Sequence, residues 1–232
     1  EELDELDDVH NYIPYNRHEV DVSTGREAHH IGSFQITQPN GSLYIYDLPA
    51  YNMESYDVSF SIDDANTDYN YYEAYKQNGS KWLISYTDTD ASINNSNGRS
   101  NHYSSQRTPA HAHSYLLTGV LSPDYVDVHG DGITYDDLGT AVKFNYTKHL
   151  DNFKWRAPLG DHKARYNPGL KSVDHDDKAS YSYGSKEIWY IHSIESKTHV
   201  AEFYYSKRDD ALGVEKQHGK IYTQQSQRML KQ

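Results

Sequence analysis

Residues 124–139 read DYVDVHGDGITYDDLG, and the spacing of their acidic side chains suits metal chemistry. Asp127, His129, Asp131 and Gly132 stand at the first, third, fifth and sixth positions of an EF-type calcium loop. Calcium takes about six to eight hard oxygens, and alternate positions of a tight loop deliver them around one point. Two residues depart from the pattern. His129 offers a nitrogen where an oxygen is usual, and the twelfth position holds Leu138 rather than a bidentate Glu, although Asp136 and Asp137 precede it. The nearer analogue is the short calcium loop of extracellular β-proteins. The expected ligand set is Asp127, His129, Asp131, Asp136 and Asp137, with calcium as the cofactor. The competing reading is a metal-free acidic turn whose Asp side chains cap backbone N–H groups. Under both readings the loop is structural, not catalytic.

Three further constellations could carry chemistry. His111 and His113 form H-x-H, which on a strand puts both imidazoles on one face as in metal-dependent enzymes. Their surroundings read as a helix, however, where that spacing points them apart, so a hydrogen-bonded histidine at a helix start is expected. Asp174, His175, Asp176 and Asp177 could complete a calcium site, but read first as a solvated loop. Glu187, Glu195, Glu202 and Asp161 could supply the carboxylate pair of a glycosidase, though nothing in their spacing selects a pair. There is no G-x-S-x-G, P-loop or dinucleotide fingerprint. Aromatic residues offer a binding reading instead. Trp82, Trp155, Trp189 and Tyr72, the last amid Tyr69, Tyr71 and Tyr75, could stack on sugar rings, against the alternative that they fill a β-core.

The elements that must position these residues are mostly strands. Phe34 and Ile36 alternate with polar residues, Pro39-Asn40-Gly41 turns the chain, and Leu43 and Ile45 resume the alternation, a hairpin pattern. Val58, Phe60 and Ile62 predict an inward face over 56–63, and KWLISYT (81–87) predicts another strand. Residues 87–108 hold almost nothing to bury and read as a long exposed loop. Ala112, Tyr115, Leu116 and Val120 after Pro109 predict the chain's one helix over 110–121. A strand follows over 139–149, with NFKWRAP (152–158) returning beside it. KEIWYIHSI carries apolar residues on both faces, as a central strand of a sandwich does. The organisation expected is an acidic lead-in over 1–30, one β-rich domain over 31–206, and a polar tail over 207–232 ending in a short helix.

Composition bounds the function. Hydrophobic residues make up only 36% of the 232, yet 23 Tyr, 5 Phe and 3 Trp can build a core that hydropathy undervalues. A net charge of -12 with scattered basic residues excludes nucleic acid as a partner. The absence of Cys removes disulfides and thiol chemistry, and no apolar run is long enough for a membrane span. The acidic start, without Met or signal peptide, predicts a mature or excised piece of a longer chain.

Several phrases together, among them LYIYDLPAYNMESYDVSFSI, TPAHAHSYLLTGVLSPDYVDVHGDGITYDDLGTAVKFNYTKH, FKWRAP and ARYNPGLKSVDHDDKASYSYGSKEIWYIHSIESKTHVAEFYYSKRDDALGV, resemble a segment of very large, uncharacterised cell-surface and envelope proteins of Bacteroidota. The resemblance covers most of residues 43–215. It implies export and a place in a larger chain, so the partners expected are other domains of a parent chain or surface assembly, and a glycan. The usual wording there is PAYAHSYLLT, which His113 matches and His111 does not. The loop there carries Thr or Asn before the Gly, so His129 is also a departure. The expected whole is a mainly β, antiparallel, sandwich-like domain with one short helix and long irregular loops. It would serve as a structural or glycan-binding module outside the cell, stabilised by calcium. An extracellular polysaccharide-active enzyme using Asp and Glu carboxylates is the rival.

Overall fold

The computed structural model describes residues 27–62, 83–215 and 219–231. The protein is mainly β, antiparallel and sandwich-like. Two strands organise it. β8 (Ala141–Ala157) and β10 (Lys178–Ser196) run antiparallel, from Ser182–Ala157 to Ser196–Val142. The segment NFKWRAP does not return beside 139–149 as its sequence suggests; it continues the same strand to 17 residues. β10, at 19 residues, is long enough to take two partners along each edge. On one edge it pairs first with β3 (Leu48–Ser61) and then with β11 (Val200–Glu202). On the other it pairs with β9 (Lys163–Tyr166) and then with β8. This bears out the central position expected of KEIWYIHSI.

The hairpin around Pro39-Asn40-Gly41 is present as β1 (Phe34–Thr37) and β2 (Leu43–Tyr46). β2 pairs with β7 (Gly119–Leu121), which pairs with β8. The free edge of β3 is covered by β6 (His111–Leu116) and β5 (Tyr103–Thr108), and β4 (Leu83–Ser85) pairs with β9. β12 (Tyr205–Val214) and β13 (Ile221–Leu230) form a separate two-stranded sheet packed on β8.

The predicted helix over 110–121 is absent: β6 and β7 occupy it. Ala112 and Leu116 fit a period of two as well as a helix. What decides is β3, whose backbone from Leu48 to Asn52 would otherwise lack a ladder partner on that side. The polar tail likewise ends in a strand, not a short helix. Of the expected loop over 87–108, residues 103–108 are strand β5, and Asn95 in the rest is 6% exposed. Its amide donates to the carbonyls of Ser61 and Asp90 at 2.7 and 2.6 Å. Among the described residues the only helix is a 3-10 turn, Pro168–Leu170, and no helix is long and apolar enough to cross a membrane.

Val58, Phe60 and Ile62 point inward as their alternation predicts, meeting Ile84, Tyr86, Ala164, Ala179 and Tyr181. The core is built around rings. Tyr86 stacks on Tyr181 with centroids 5.3 Å apart, and Phe60 tilts against Tyr86 at 5.1 Å. The buried guanidinium of Arg156 lies 4.4 Å from the Tyr181 centroid and donates to the Tyr86 hydroxyl at 3.0 Å. Each polar tip thus has a partner or a cation beside it, which is how a tyrosine core stays satisfied.

Candidate metal centre

The loop 122–140 joins two antiparallel neighbours, β7 and β8. It is therefore a long strand-to-strand connection. Its base is tied by Ser122 O–H···Asp124, by Ser122 N–H to the Thr140 carbonyl at 2.8 Å, and by the Val126–Leu138 bridge. Above that bridge the chain must turn back on itself within eleven residues. Gly130 and Gly132 do so with φ of 73° and 92°, values that L side chains rarely adopt.

The fold brings Asp127, Asp131 and Asp137 together, with one carboxylate oxygen from each within 4.8 Å of the others. A calcium ion held at roughly 2.3–2.6 Å from each oxygen can bridge oxygens about 5 Å apart, so all three can reach one ion. Asp127 and Asp131 are exposed and line a cleft of about 500 Å³, while Asp137 is 1% exposed. Asp137 accepts from the Tyr125 hydroxyl at 2.6 Å and from the backbone N–H groups of Thr134 and Val128 at 2.9 and 3.1 Å. The Tyr125 hydroxyl, ahead of those N–H groups, holds the Asp137 carboxyl down at about 2. Burial, and after it the same bond, pushes the Tyr125 phenol well above its usual 10. Asp127 accepts from the N–H groups of Gly130 and Gly132 at 2.6 and 3.0 Å. Asp131 takes no part in these loop bonds.

Of the five side chains expected at the ion, the structure thus converges three. His129 and Asp136 turn to each other instead, Nδ1 to Oδ2 at 2.9 Å, on the exposed side of the loop. Among the described residues these three Asp are the one group of three or more ligand side chains whose donor atoms converge.

The other candidates are dispersed. His111 and His113 lie on a strand, but the β3–β6 register breaks beside them, and His111 Nδ1 faces the Pro109 carbonyl at 3.0 Å. The cluster 174–177 is not a solvated loop throughout: Asp176 and Asp177 are 3% and 2% exposed. Asp176 accepts from Lys178 at 2.6 Å, Ser172 at 2.7 Å and Ser100 at 2.9 Å, fastening the 86–102 loop to the start of β10. Lys178, then the two serines, hold its carboxyl far below the usual range. Glu195 accepts from Asn145 at 2.6 Å, Glu202 from Tyr204 at 2.7 Å, and Asp161 is paired with His162 at 3.0 Å. Glu195 and Glu202 lie diagonally on one face of β10–β11, yet neither lines the cleft beside Asp131. Trp155 lies over Gly184 within the sheet. Trp189 lines a smaller cleft with Glu187, two residues before it on β10. Trp82 and Tyr72, with Tyr69, Tyr71 and Tyr75, lie outside the described residues. Compared with models of protein families, with curated proteins and with solved structures, the chain matches none.

Proposed function

We propose that the protein is a calcium-stabilised structural or ligand-binding module of a large exported surface protein. The observation that carries the calcium is the convergence of Asp127, Asp131 and Asp137 on one point. All three ligands are hard carboxylate oxygens, the donor type calcium prefers. Asp137, held ionised by its neighbours, brings its charge to the site at any pH above about 4. The ion would stiffen a connector between two strands, and no reacting atom needs to be invoked. Support for neighbouring domains as partners comes from the same loop, where Val126, Val128, Tyr135 and Leu138 are 51%, 49%, 85% and 59% exposed.

Thermal melts in calcium and in a chelator test this reading. Calcium at about 100 times its Kd adds about 2.7 kcal/mol to a folded state that alone binds it. For a chain of this size that is a rise in Tm of roughly 5–10 °C. Asp131→Ala removes a ligand that the loop's own hydrogen bonds do not use, so it is expected to abolish the rise while leaving the chelated Tm close to wild type. A melt unchanged by calcium would make the loop a metal-free turn.

A further inference from the structure

The cleft that holds Trp189 has a volume of about 230 Å³ and lies where β6, β10 and β13 meet. Strand register breaks at this one level in three pairings. Between β3 and β6 the pairing steps from Ala50–Ser114 to Tyr51–Ala112, leaving His113 as the extra residue. Between β10 and β8 it steps from Lys186–Phe153 to Ile188–Leu150, and between β10 and β3 from Ser185–Glu54 to Lys186–Asn52. Bulges re-aim side chains and are over-represented beside binding and active sites. Here they gather His113, Lys186, Glu187 and Trp189 around one cavity, which Gln227 of β13 also lines.

The chemistry of those groups selects a ligand class. Glu187 is 6% exposed, and one of its oxygens accepts from the Tyr51 N–H and the Trp189 Nε1–H, both at 3.1 Å. That second bond fixes the plane of the indole. The other oxygen meets Lys148 at 3.3 Å, and the same ammonium sits 5.1 Å from the indole centroid. With Lys148 and Lys186 on hand and the Glu187 carboxylate already met by Lys148, a cationic ligand is repelled and an uncharged one is not. Burial, then the charge of Lys186, hold the His113 imidazole below its usual 6.5, so at neutral pH it is uncharged, with one nitrogen donating and one accepting. The Gln227 amide also offers both. A volume below the roughly 300 Å³ at which pockets for drug-sized ligands begin leaves room for one small ring and not for a nucleotide.

We propose that this cleft binds one neutral sugar ring of a glycan, its apolar face on Trp189 and its hydroxyls bonded to His113 and Gln227. This deepens the ligand-binding half of the reading above and rests on it, but not on the calcium. The test is to titrate the folded protein with glucose, galactose, mannose, fucose and N-acetylglucosamine while following the indole N–H signals by NMR. Trp189→Phe identifies the signal to follow. At least one of these sugars is expected to shift the Trp189 signal, and a His113→Ala/Gln227→Ala double variant, its fold checked by its melt, to bind roughly tenfold or more weakly. Choline and acetate are expected to leave the signal in place. The assignment is overturned if none of the five sugars moves the Trp189 signal, if the double variant binds as wild type does, or if choline or acetate moves the signal as strongly as a sugar. Calcium melts on the same samples separate the two readings: a calcium-dependent Tm without sugar binding overturns this proposal alone.

Discussion

Asp137 shows how one side chain can organise a loop. It is buried, ionised and held by a phenol and two backbone N–H groups. Its carboxyl sits at about 2 in the fold against 3.8 ordinarily, so the unfolded chain binds the proton more readily. The stabilisation is therefore complete above about pH 4 and is lost as pH falls towards 2. Asp176 acts in the same direction through Lys178. In chelator, Asp137→Asn is expected to be clearly less stable than wild type at pH 7, and the gap to close as the pH is lowered to about 2. Urea midpoints at a series of pH values read this. A gap of constant size would mean that the carboxylate's charge is not what the loop uses.

The loop as an element is held by its ends as much as by its acids. Gly139 closes it with φ of 76°, and a Cβ there would lie 2.7 Å from the Asp124 carbonyl oxygen and the Tyr125 nitrogen. Gly139→Ala therefore meets both an unfavourable backbone region and backbone atoms that cannot swing aside, and is expected to cost more than about 1 kcal/mol. Gly130→Ala, with open space around its position and φ of 73°, carries the backbone penalty alone and should cost less. Equal losses in urea unfolding would show that the crowding at Asp124 and Tyr125 relaxes freely. At this scale the helix expected over 110–121 also fails. Its apolar positions suited two periods, and the choice between them belonged to β3.

Across the whole molecule, stability rests on the ring-lined core that joins β3, β4, β9 and β10. Phe60 is 0% exposed and touches the rings of both Tyr86 and Tyr181. Phe60→Ala removes that contact and leaves a cavity, at a cost of about 3–5 kcal/mol in urea unfolding. A loss below about 1 kcal/mol would place the stabilising core elsewhere. Because β10 pairs with β3, β8, β9 and β11 and so joins the two sides of the large sheet, the loss is expected in one cooperative transition.

Local pattern alone determined the β class, the hairpin at Pro39-Asn40-Gly41, the inward face Val58, Phe60 and Ile62, the central place of KEIWYIHSI and the acidic loop itself. Each depends on neighbours a few residues apart, where side-chain alternation and turn chemistry act. Tertiary structure decided the rest. It chose strands for 111–121 by the need to pair β3, and joined 141–157 into one strand along β10. It buried Asp176 and Asp177 against partners up to 76 residues away. In the loop, spacing nominated five ligands, but only the path of the backbone between Gly130 and Gly139 sent Asp137 inward and His129 out to Asp136. The cleft beside Trp189 was legible only in part. The indole stood out as an aromatic, whereas its neighbours arrive from other strands, His113 from β6 through a register break and Gln227 from β13, and no local pattern encodes that.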